Sequence, residues 1–543
     1  MNAGRDRRFW AAIAAAALAW SLARAGLDPN ELVNTGGWPH VEAFFRAMVT
    51  PRVDAAFLRL TAREAGVTLG YAVLGTALAI GIGLVGGIVL TERIWMPLAG
   101  PMGRPARAGW ALARLAFVVP RSMHEVVFGL ILVSILGLDP LVAILAIGVP
   151  FGAVTAKVFS ELLDEVPGDA ERVLRAAGAS RLTALLFGTF PQAAGDLVGY
   201  GFYRFECALR SAAILGIVGA GGLGFQLAQS FISLRYDEMW TFLWALIVVS
   251  GLADRLSSEV RRRHNAAAVE MHVGRPGYAP QRDRFLTVSA AAGALAVPVA
   301  VWWLGVDVST LWSERARTLA GDLAADSWPP TAGAGGLGEL AADSIDTIAL
   351  AVLAIGLAWA VASPLAFVAS RPQGRAGRTG WSLRRAAGWL TRFVLLVARA
   401  VPPPVWAFVV LLVLFPGLWP GAVALAIYNG GVLGRLQAEL VENLDPGPAD
   451  GLRASGAGPL GVLAYATVPA VSAKFVALGL YRWEVAIRET VVVGVVGAGG
   501  LGRRLDEQTS AFDFGGILAT IIALLVVTVV VDIASAFVRS SLR

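Results

Sequence analysis

Long, continuously apolar runs recur along this sequence and limit the folds open to it. Hydrophobic residues make up 56% of the 543 residues, the mean hydropathy is +0.66 and only 15% of residues are charged. Many runs approach about 20 residues, the length with which a helix crosses about 30 Å of hydrocarbon. They lack the alternation of a transmembrane β-barrel strand. The sequence therefore predicts an all-α integral membrane protein.

The second half of the chain repeats the first. The sequence from Tyr203 reads YRFECALRSAAILGIVGAGGLGFQL, and the sequence from Tyr481 reads YRWEVAIRETVVVGVVGAGGLGRRL. Fourteen of these 25 positions are identical without a gap. Chance would give about two or three identities, so the chain carries an internal duplication. The offset that pairs Tyr203 with Tyr481, which we call the repeat offset, also pairs residues upstream: Arg121 with Arg399, Glu161 with Glu439, Gly178 with Gly456, and Pro191 with Pro469.

The duplication predicts two modules and a linker. The first module covers 1–260 with a core at about 65–259, and the second covers 285–543 with a core at about 344–538. The linker is 261–284. Hydropathy predicts six spans in each module, about 12 in all. These lie at 9–27, 65–90, 111–137, 140–158, 190–216, 238–259, 285–304, 344–369, 389–415, 418–436, 467–494 and 515–538.

The distribution of arginine between loops predicts the orientation. The stretches 261–284 and 371–392 each hold six arginines against at most two acids, whereas 306–343 holds two arginines against six acids. Basic loops stay in the cytoplasm, so both termini are predicted to be cytoplasmic and the protein to lie in a bacterial inner membrane. An even number of spans gives parallel repeats, with a path between the two halves.

The first apolar run also has features of a secretory signal peptide. It follows a group of arginines and ends near Ala23-Arg24-Ala25, a small-residue pattern found at cleavage sites. The second copy has its own opening run at 285–304, inside the chain, where no signal peptide acts. The duplication therefore favours a first helix that is retained in the mature protein.

A polar segment separates the fourth and fifth spans in both copies. It begins at Glu161 as ELLDEVPGDAERVLRAAGASRL and at Glu439 as ELVENLDPGPADGLRASGAGPL. In the first copy Pro167 suits an early helical position, acids follow, and Gly178 suits the C-terminal cap. This pattern predicts a helix of about ten residues outside the bilayer. The alternative is an ordinary connecting turn, but recurrence at one register favours the helix.

Charged residues interrupt the fifth span of each copy. Such groups face a protein interior or a wet path, because a charge at the bilayer centre costs at least about 2.5–3.5 kcal/mol. Glu206 with Arg210 and Glu484 with Arg488 are i,i+4 pairs, which leaves Arg204 and Arg482 as surplus positive charge. One interpretation is pairing that holds the bundle together; the other is that these residues help an oxyanion pass between the halves. The candidate path residues are Arg204, Glu206, Arg210, Arg482, Glu484 and Arg488.

The repeated GAGGLG string follows each charged span. It fits the dinucleotide pattern Gly-x-Gly-x-x-Gly, but no alternation of strands and helices surrounds it. The glycines instead predict a break in the chain at the outer end of the fifth span, and a gate at that break. The candidate gate residues are Gly219, Gly221, Gly222, Gly224, Gly497, Gly499, Gly500 and Gly502.

The sequence also lacks several kinds of site. The only lysines, Lys157 and Lys474, each follow alanine, so no phosphate-binding loop is present. The chain therefore cannot supply the lysine contact to ATP that such a loop provides. External segments of about 40 residues are too short for a ligand-capturing domain of their own. Cys207 and the four histidines show no metal-ligand spacing, no catalytic constellation occurs, and the net charge of +6 does not indicate nucleic-acid binding.

The polar segments resemble the glutamate-alanine-alanine-glycine loop of ABC importer permeases. The YRFE…GAGGLG string resembles the signature of phosphonate-type members of that superfamily. RSMHEVVFGL, from Arg121, and RAVPPPVWAF, from Arg399, are similar to a further family segment, but with His124 and Pro403 at departing positions. In that family the loop forms a coupling helix that contacts the ATPase. The resemblance assigns this role to Glu161, Glu171, Ala176, Ala177, Gly178, Glu439, Ala454, Ser455 and Gly456.

The resemblance implies a fused pair of type I ABC importer permease modules. The implied partners are two ABC ATPase subunits, which bind ATP and magnesium in place of this chain, and a periplasmic or lipid-anchored substrate-binding protein. The implied cargo is phosphonate or a related phosphorus oxyanion. Pro448 and Gly451 predict a weaker helix in the second copy. Alternatives are a fused permease for ferric iron or thiamine, a secondary transporter with 6+6 spans, and a membrane-bound nucleotide-dependent enzyme.

Overall fold

The computed structural model describes residues 3–26, 32–98, 100–272, 284–333, 335–371 and 378–542. Within these ranges the regular structure is helical, apart from one isolated antiparallel bridge between Val33 and Leu414. The predicted all-α class is confirmed. The longer helices of the first copy are α1 (Ala3–Ala25), α2 (Trp38–Ala47), α3 (Ala55–Leu90), α4 (Arg104–Ser122), α5 (Glu125–Leu136), α6 (Pro140–Glu165), α7 (Asp169–Ala176), α8 (Phe190–Leu215), α9 (Gly222–Ile232) and α10 (Tyr236–His272).

The second copy repeats this series. Its helices α15 to α20 each begin one repeat offset after α5 to α10, so the duplication extends to the register of individual helices. Of the predicted linker 261–284, residues 261–272 form the end of helix α10, and residues 273–283 lie outside the described ranges. The longer helices are α11 (Arg284–Leu304), α12 (Glu314–Ser327), α13 (Gly336–Ala369), α14 (Arg378–Ala400), α15 (Pro403–Leu411), α16 (Leu418–Glu442), α17 (Gly447–Ala454), α18 (Val468–Val493), α19 (Gly500–Ser510) and α20 (Phe514–Leu542).

Seven described helices are long and apolar enough to span a membrane, and three bent helix pairs raise the total to ten. Of the twelve predicted spans, 9–27 and 418–436 are absent from that set. At the first, only Ala12–Ala25 qualifies, as a shorter apolar helix. The second is helix α16, which carries Asn429 and Arg435 within the predicted run. Both segments are helical, as predicted.

The predicted third span of each copy is a broken helix. Helices α4 and α5 meet at 81°, and α14 and α15 meet at 93°, where the sequence predicted single spans at 111–137 and 389–415. In the second copy consecutive prolines begin α15, and the ring of proline disfavours a helical conformation in the residue before it. In the first copy His124 caps α5 by accepting the N–H of Val126 at its Nδ1 atom.

Contacts divide the chain into two compact units. One contains Met1–Thr50 and Leu323–Arg543, and the other contains Pro51–Asp322. Each predicted core falls within one unit, but the opening helix of each copy groups with the core of the other copy. In the first unit α1 packs on α13, and in the second unit α11 packs on α3. The units therefore divide the chain differently from the predicted modules 1–260 and 285–543, because sequence periodicity does not determine which core an opening helix packs against.

In each unit the core forms along one pair of long helices, α3 with α6 and α13 with α16. Small residues allow the first pair to approach closely. A Cβ atom added to Gly75 would lie 2.8 Å from the side chain of Ile147, and one added to Gly87 would lie 2.8 Å from that of Phe159. This tight pairing holds α3 and α6 as a rigid support for the helices that carry the charged residues.

Candidate functional site

In each copy the chain breaks at the glycine cluster between two helices. The first break turns α9 by 55° from the preceding helix. Both breaks contain residues at positive φ, a conformation in which an L side chain is strained and which therefore favours glycine. The predicted helix break is confirmed, and its role as a gate stays a prediction. Positive φ angles, between +66° and +114°, occur at Gly219, Gly221, Gly222, Gly497, Gly499 and Gly500.

A threonine hydroxyl from the first core helix fixes the start of the helix after each break. Thr68 Oγ1 accepts a hydrogen bond from the N–H of Leu223 at 2.9 Å, and Thr347 Oγ1 accepts one from the N–H of Leu501 at 2.9 Å. All four residues are buried. N–H groups in the first turn of a helix have no partner within that helix. The threonines therefore cap α9 and α19 from outside, and tie each break to α3 or α13.

We expect Thr68→Val to lower the stability of the protein by about 1–2 kcal/mol, because the Leu223 N–H is left buried without an acceptor. The measurement is thermal unfolding in detergent. Thr61→Val is the matched control, since Thr61 is also buried on α3 but its hydroxyl bonds only to Phe57 of its own helix. Equal unfolding temperatures for the two variants would contradict the capping role.

In the first copy, Arg204 of α8 lies among aromatic rings. Its guanidinium carbon is 5.1 Å from the ring centroid of Phe151, 5.0 Å from that of Tyr200 and 5.7 Å from that of Tyr203. Both Nε and Nη2 donate to the hydroxyl of Tyr200, Nε at 2.8 Å. Aromatic faces stabilise a cation without neutralising it. The site therefore keeps a positive charge within the span.

In the second copy, the equivalent arginine is neutralised. Arg482 Nη2 donates to Oε1 of Glu489 at 2.9 Å, and Nε donates to Oδ1 of Asn429 at 2.8 Å. Asn429 Nδ2 in turn donates to Oε2 of Glu489 at 2.8 Å. All three side chains are buried. The prediction that Arg482 would be left as surplus charge is wrong, because Glu489, further along α18, supplies the counter-charge.

The remaining candidate path residues are also held by side-chain contacts. Arg210 Nη2 lies 3.5 Å from Oε1 of Glu206, so the predicted i,i+4 pair of the first copy is confirmed. In the second copy Glu484 accepts a hydrogen bond from Arg539 of α20, a partner that the sequence spacing did not indicate. Arg488 lies on the same helix, half-buried. The structure thus places charged groups of both copies inside the helix bundle of their own unit.

A further buried carboxylate lies at the break between α4 and α5. Glu125 accepts a hydrogen bond from the hydroxyl of Ser211 on α8, and its Oε2 lies 3.4 Å from Nδ1 of His124. In the second copy the positions equivalent to Glu125 and Ser211 hold Pro403 and Glu489. The buried acid beside this helix position therefore lies on α5 in the first copy and on α18 itself in the second.

The connecting helix α7 of the first copy is fixed by its buried acid. Glu171 Oε2 is 3.0 Å from Nη1 of Arg93, in the turn after α3, and it also accepts the hydroxyl of Thr189 at 3.2 Å. Arg175 Nη1 lies 3.6 Å from the other carboxylate oxygen. Arg93 also donates to the carbonyl of Asp164 at the end of α6. This arrangement, which we call the Glu171 clamp, joins α7 to the ends of two spans.

Helix α7 ends as the sequence predicts, but it begins later. Gly178 has φ of +93°, and the N–H of the next residue, Ala179, reaches back to the carbonyl of Leu174. This is the Schellman arrangement, in which glycine supplies the left-handed residue. Ala176 is the last helical residue. Pro167 lies before the helix, which starts at Asp169 with Gly168 as N-cap, so the predicted position of the proline is wrong.

Helix α17 of the second copy has the same length and the same end but lacks the clamp. Gly456 has φ of +83°, and the following N–H bonds to the carbonyl of Leu452. Ala449 stands at the position of Glu171, and no residue of α17 is buried. Its ion pair, Asp450 with Arg453, is exposed. Pro448 and Gly451 therefore do not prevent the helix.

The other residues assigned to these segments are Glu161, Ala177, Glu439, Ala454 and Ser455.

Both connecting segments carry an exposed aromatic side chain at the same register. Phe187 is 74% exposed, and Tyr465, its equivalent in the second copy, is 80% exposed. Leu182 and Leu460, an equivalent pair earlier in the same segments, are exposed as well. These exposed apolar groups recur in both copies beside α7 and α17, and such patches mark contacts with a protein partner or with the membrane.

Sequence reasoning missed the groups that hold these elements together. Thr68, Arg93 and Asn429 contact residues 155, 78 and 53 positions away, respectively. Spacing rules detect neighbours three or four residues apart on one helix and give no information on such distant partners. Glu489 did carry a signal, since it is an acid inside an apolar span next to Arg488.

The fold and these sites define a class: a duplicated, helical membrane permease in which each copy presents a short connecting helix. The model of the family described as binding-protein-dependent transport system inner membrane component matches residues 96–256 and 376–543. The chain belongs to this family, and it fuses two permease modules of an ABC importer in one polypeptide.

Individual relatives agree with the family. The chain is 28% identical to the phosphate-import permease protein PhnE of Mycolicibacterium smegmatis, over 96% of this chain and 92% of that protein. It is 29% identical to the phosphite transport system permease protein PtxC of Stutzerimonas stutzeri, over 46% of this chain and 86% of that protein. It is 38% identical, over 22% of this chain and 96% of the relative, to an Escherichia coli permease protein named for a cryptic phosphonate transport system. A structure of the inward-facing MetNI methionine ABC transporter matches 39% of this chain and 99% of its own at 22% identity, with a TM-score of 0.35.

Proposed function

We propose that this chain is the transmembrane subunit of an ATP-driven, binding-protein-dependent importer of phosphonate or a related phosphorus oxyanion. The observation that carries the proposal is the recurrence of α7 and α17, two eight-residue helices at equivalent positions of the two copies, each ended by a glycine at positive φ. The relatives, which are named for phosphate, phosphite and phosphonate, support a tetrahedral phosphorus oxyanion as cargo.

Two ABC ATPase subunits bind this permease, one at each connecting helix. The exposed side chains of Phe187 and Tyr465 support a docking surface in both copies. ATP and magnesium belong to the ATPase subunits, and a periplasmic or lipid-anchored protein delivers the oxyanion. The chain lies in the bacterial inner membrane with both termini in the cytoplasm, so that α7 and α17 face the ATPases.

ATP binding stabilises one of two conformations of the permease and hydrolysis releases it, which exchanges an inward-open for an outward-open cavity. The connecting helices transmit the motion. In the first copy the Glu171 clamp passes it directly to the ends of α3 and α6, because Arg93 contacts both. The glycine breaks before α9 and α19 act as the gate at the outer side, and the charged residues of α8 and α18 lie along the route.

We expect the variant Gly178→Val/Gly456→Val to lose its ATPase subunits. A Cβ at either glycine meets no atom within 4 Å, so the change acts through backbone strain and through the surface of the connecting helices. The measurement is the amount of ATPase that copurifies with folded permease. Gly451→Ala is the control, since Gly451 lies on α17 in open space at an ordinary helical φ. Equal ATPase recovery from both variants would contradict the assignment.

Uptake separates this function from a secondary transporter. We expect uptake of phosphorus oxyanions to stop when the ATPase is removed, because the permease has no other source of energy. The measurement is uptake of labelled phosphate, phosphite and methylphosphonate in cells with and without the ATPase. Uptake that persists without it would favour ion-coupled transport.

A further inference from the structure

The two equivalent arginines, Arg204 and Arg482, have the same place in their helices. Arg204 is residue 15 of the 26 residues of α8, and Arg482 is residue 15 of the 26 residues of α18. At 1.5 Å per residue each lies about 15–20 Å from either end of its helix. An arginine side chain is too short to reach the membrane surface from there, so each must be accommodated inside the protein or in a wet path.

The substitutions between the copies fall on the partners of these arginines. Asn429, which accepts from Arg482, corresponds to Phe151, which stacks on Arg204. Glu489, the counter-charge of Arg482, corresponds to Ser211. The first copy contains buried acids as well, but Glu125 accepts the hydroxyl of Ser211 and Glu206 pairs with Arg210. The difference between the two arginines is therefore built into the sequence.

Arg482 has the environment of a structural ion pair. A carboxylate and an amide oxygen satisfy three of its hydrogen bonds, and the amide also bridges to the carboxylate. A charge pair of this kind is held rigidly, and removal of one partner leaves the other buried and unpaired. An arginine so neutralised offers little attraction to a passing anion.

Arg204 has the environment of a cation that is held in place but keeps its charge. Its hydrogen bonds go to one neutral acceptor, the hydroxyl of Tyr200, and its other contacts are ring faces. Among the residues that the structure describes, none is a carboxylate within ion-pair distance of it. A guanidinium has five N–H donors in a planar fork that matches a phosphorus oxyanion. The side chain is also partly exposed rather than buried.

We propose that the two halves divide these roles: Arg204 alone contacts the phosphorus oxyanion during transport, whereas Arg482 holds its own half together. The proposal rests on the function proposed above, and it assigns the anion contact to the first copy. Ring faces and Tyr200 keep the guanidinium of Arg204 oriented without a competing negative charge. The oxyanion supplies that negative charge only while it passes, so binding is transient.

The test compares four variants of the complete importer, with its ATPase and binding protein, in proteoliposomes: R204Q, R482Q, E489Q and R482Q/E489Q. The readouts are the yield of folded permease and the uptake of labelled phosphate, phosphite or methylphosphonate per folded molecule. We expect R204Q to fold normally and to lose uptake at least tenfold. R482Q and E489Q each lower the folded yield, and the double variant, which removes both charges, restores yield and uptake to within about twofold of the wild type.

Three results would overturn the proposal. If R204Q transports normally, Arg204 does not contact the anion. If R204Q loses folded yield, Arg204 instead serves packing or binds a lipid phosphate. Folded R482Q/E489Q without uptake would show that Arg482 is needed in transport. A wild-type importer that takes up none of the three anions would instead overturn the proposed function, and this inference with it.

Discussion

Glu171→Gln should release helix α7 from the first copy and stop import, while the spans remain folded. The carboxylate accepts from Arg93 and Thr189 and lies near Arg175, and it is almost fully buried. Glutamine keeps the shape but removes the nearest counter-charge of Arg93, whose other acid, Asp164, lies further away at 3.9 Å. Loss of one partner of a buried pair costs about 3 kcal/mol or more. That exceeds what so short a helix can contribute by itself.

The measurement is hydrogen exchange of the backbone amides of α7, together with uptake by the assembled importer. A loss of about 3 kcal/mol corresponds to roughly 100-fold faster exchange in this segment. Asp169→Asn is the matched control, because Asp169 also lies on α7 and pairs with an arginine, Arg172, but that pair is more than 70% exposed on both sides. Exposed pairs contribute about 0–1 kcal/mol, so exchange and uptake should stay near the wild-type values.

The second copy gives an internal reference for this experiment. Helix α17 has Ala449 at the position of Glu171, and its Asp450–Arg453 pair is exposed. We therefore expect amides of α17 to exchange faster than those of α7 in the wild type, and Glu171→Gln to bring the two helices to similar rates. Unchanged exchange in α7, or import that survives the substitution, would contradict the role of the Glu171 clamp.

The sequence predicted those features that depend on composition and on local periodicity. The repeat offset indicated the register of six consecutive helices in each copy, and the glycine cluster indicated the position of the break before α9 and α19. Gly178 indicated the end of α7. The glycine signals are read within a few residues, and the repeat offset is read by comparing the chain with itself.

The remaining features depend on contacts between distant residues. Hydropathy gives the length of an apolar run but not its direction, so the bends of 81° and 93° in the third spans were not predicted. The same limit applies to the grouping of α1 with α13 and of α11 with α3. Arg204 and Arg482 looked equivalent in sequence, but Phe151 and Asn429, on other helices, give them different environments.

Gly224→Ala should prevent the first glycine break from folding. We expect it to lower the stability of the protein more than Gly502→Ala, Gly451→Ala or Gly81→Ala does. A Cβ atom on Gly224 would lie 1.8 Å from the carbonyl oxygen of Ala213, where α9 crosses the end of α8. The clashing atom belongs to the backbone of a helix and cannot rotate away. Overpacking in a core costs about 1–3 kcal/mol, and we expect this substitution to exceed that range.

The equivalent glycine predicts a graded result. On Gly502 a Cβ would lie 2.7 Å from the carbonyl oxygen of Val491, so Gly502→Ala should destabilise the second copy, but less than Gly224→Ala does the first. Gly81→Ala, on α3 with no atom within 4 Å of the added Cβ, is the control and should be neutral or stabilising. The measurement is folded yield and unfolding temperature in detergent. An unfolding temperature for Gly224→Ala equal to that of Gly81→Ala would show that α8 and α9 separate readily, which would contradict a fixed break at this position.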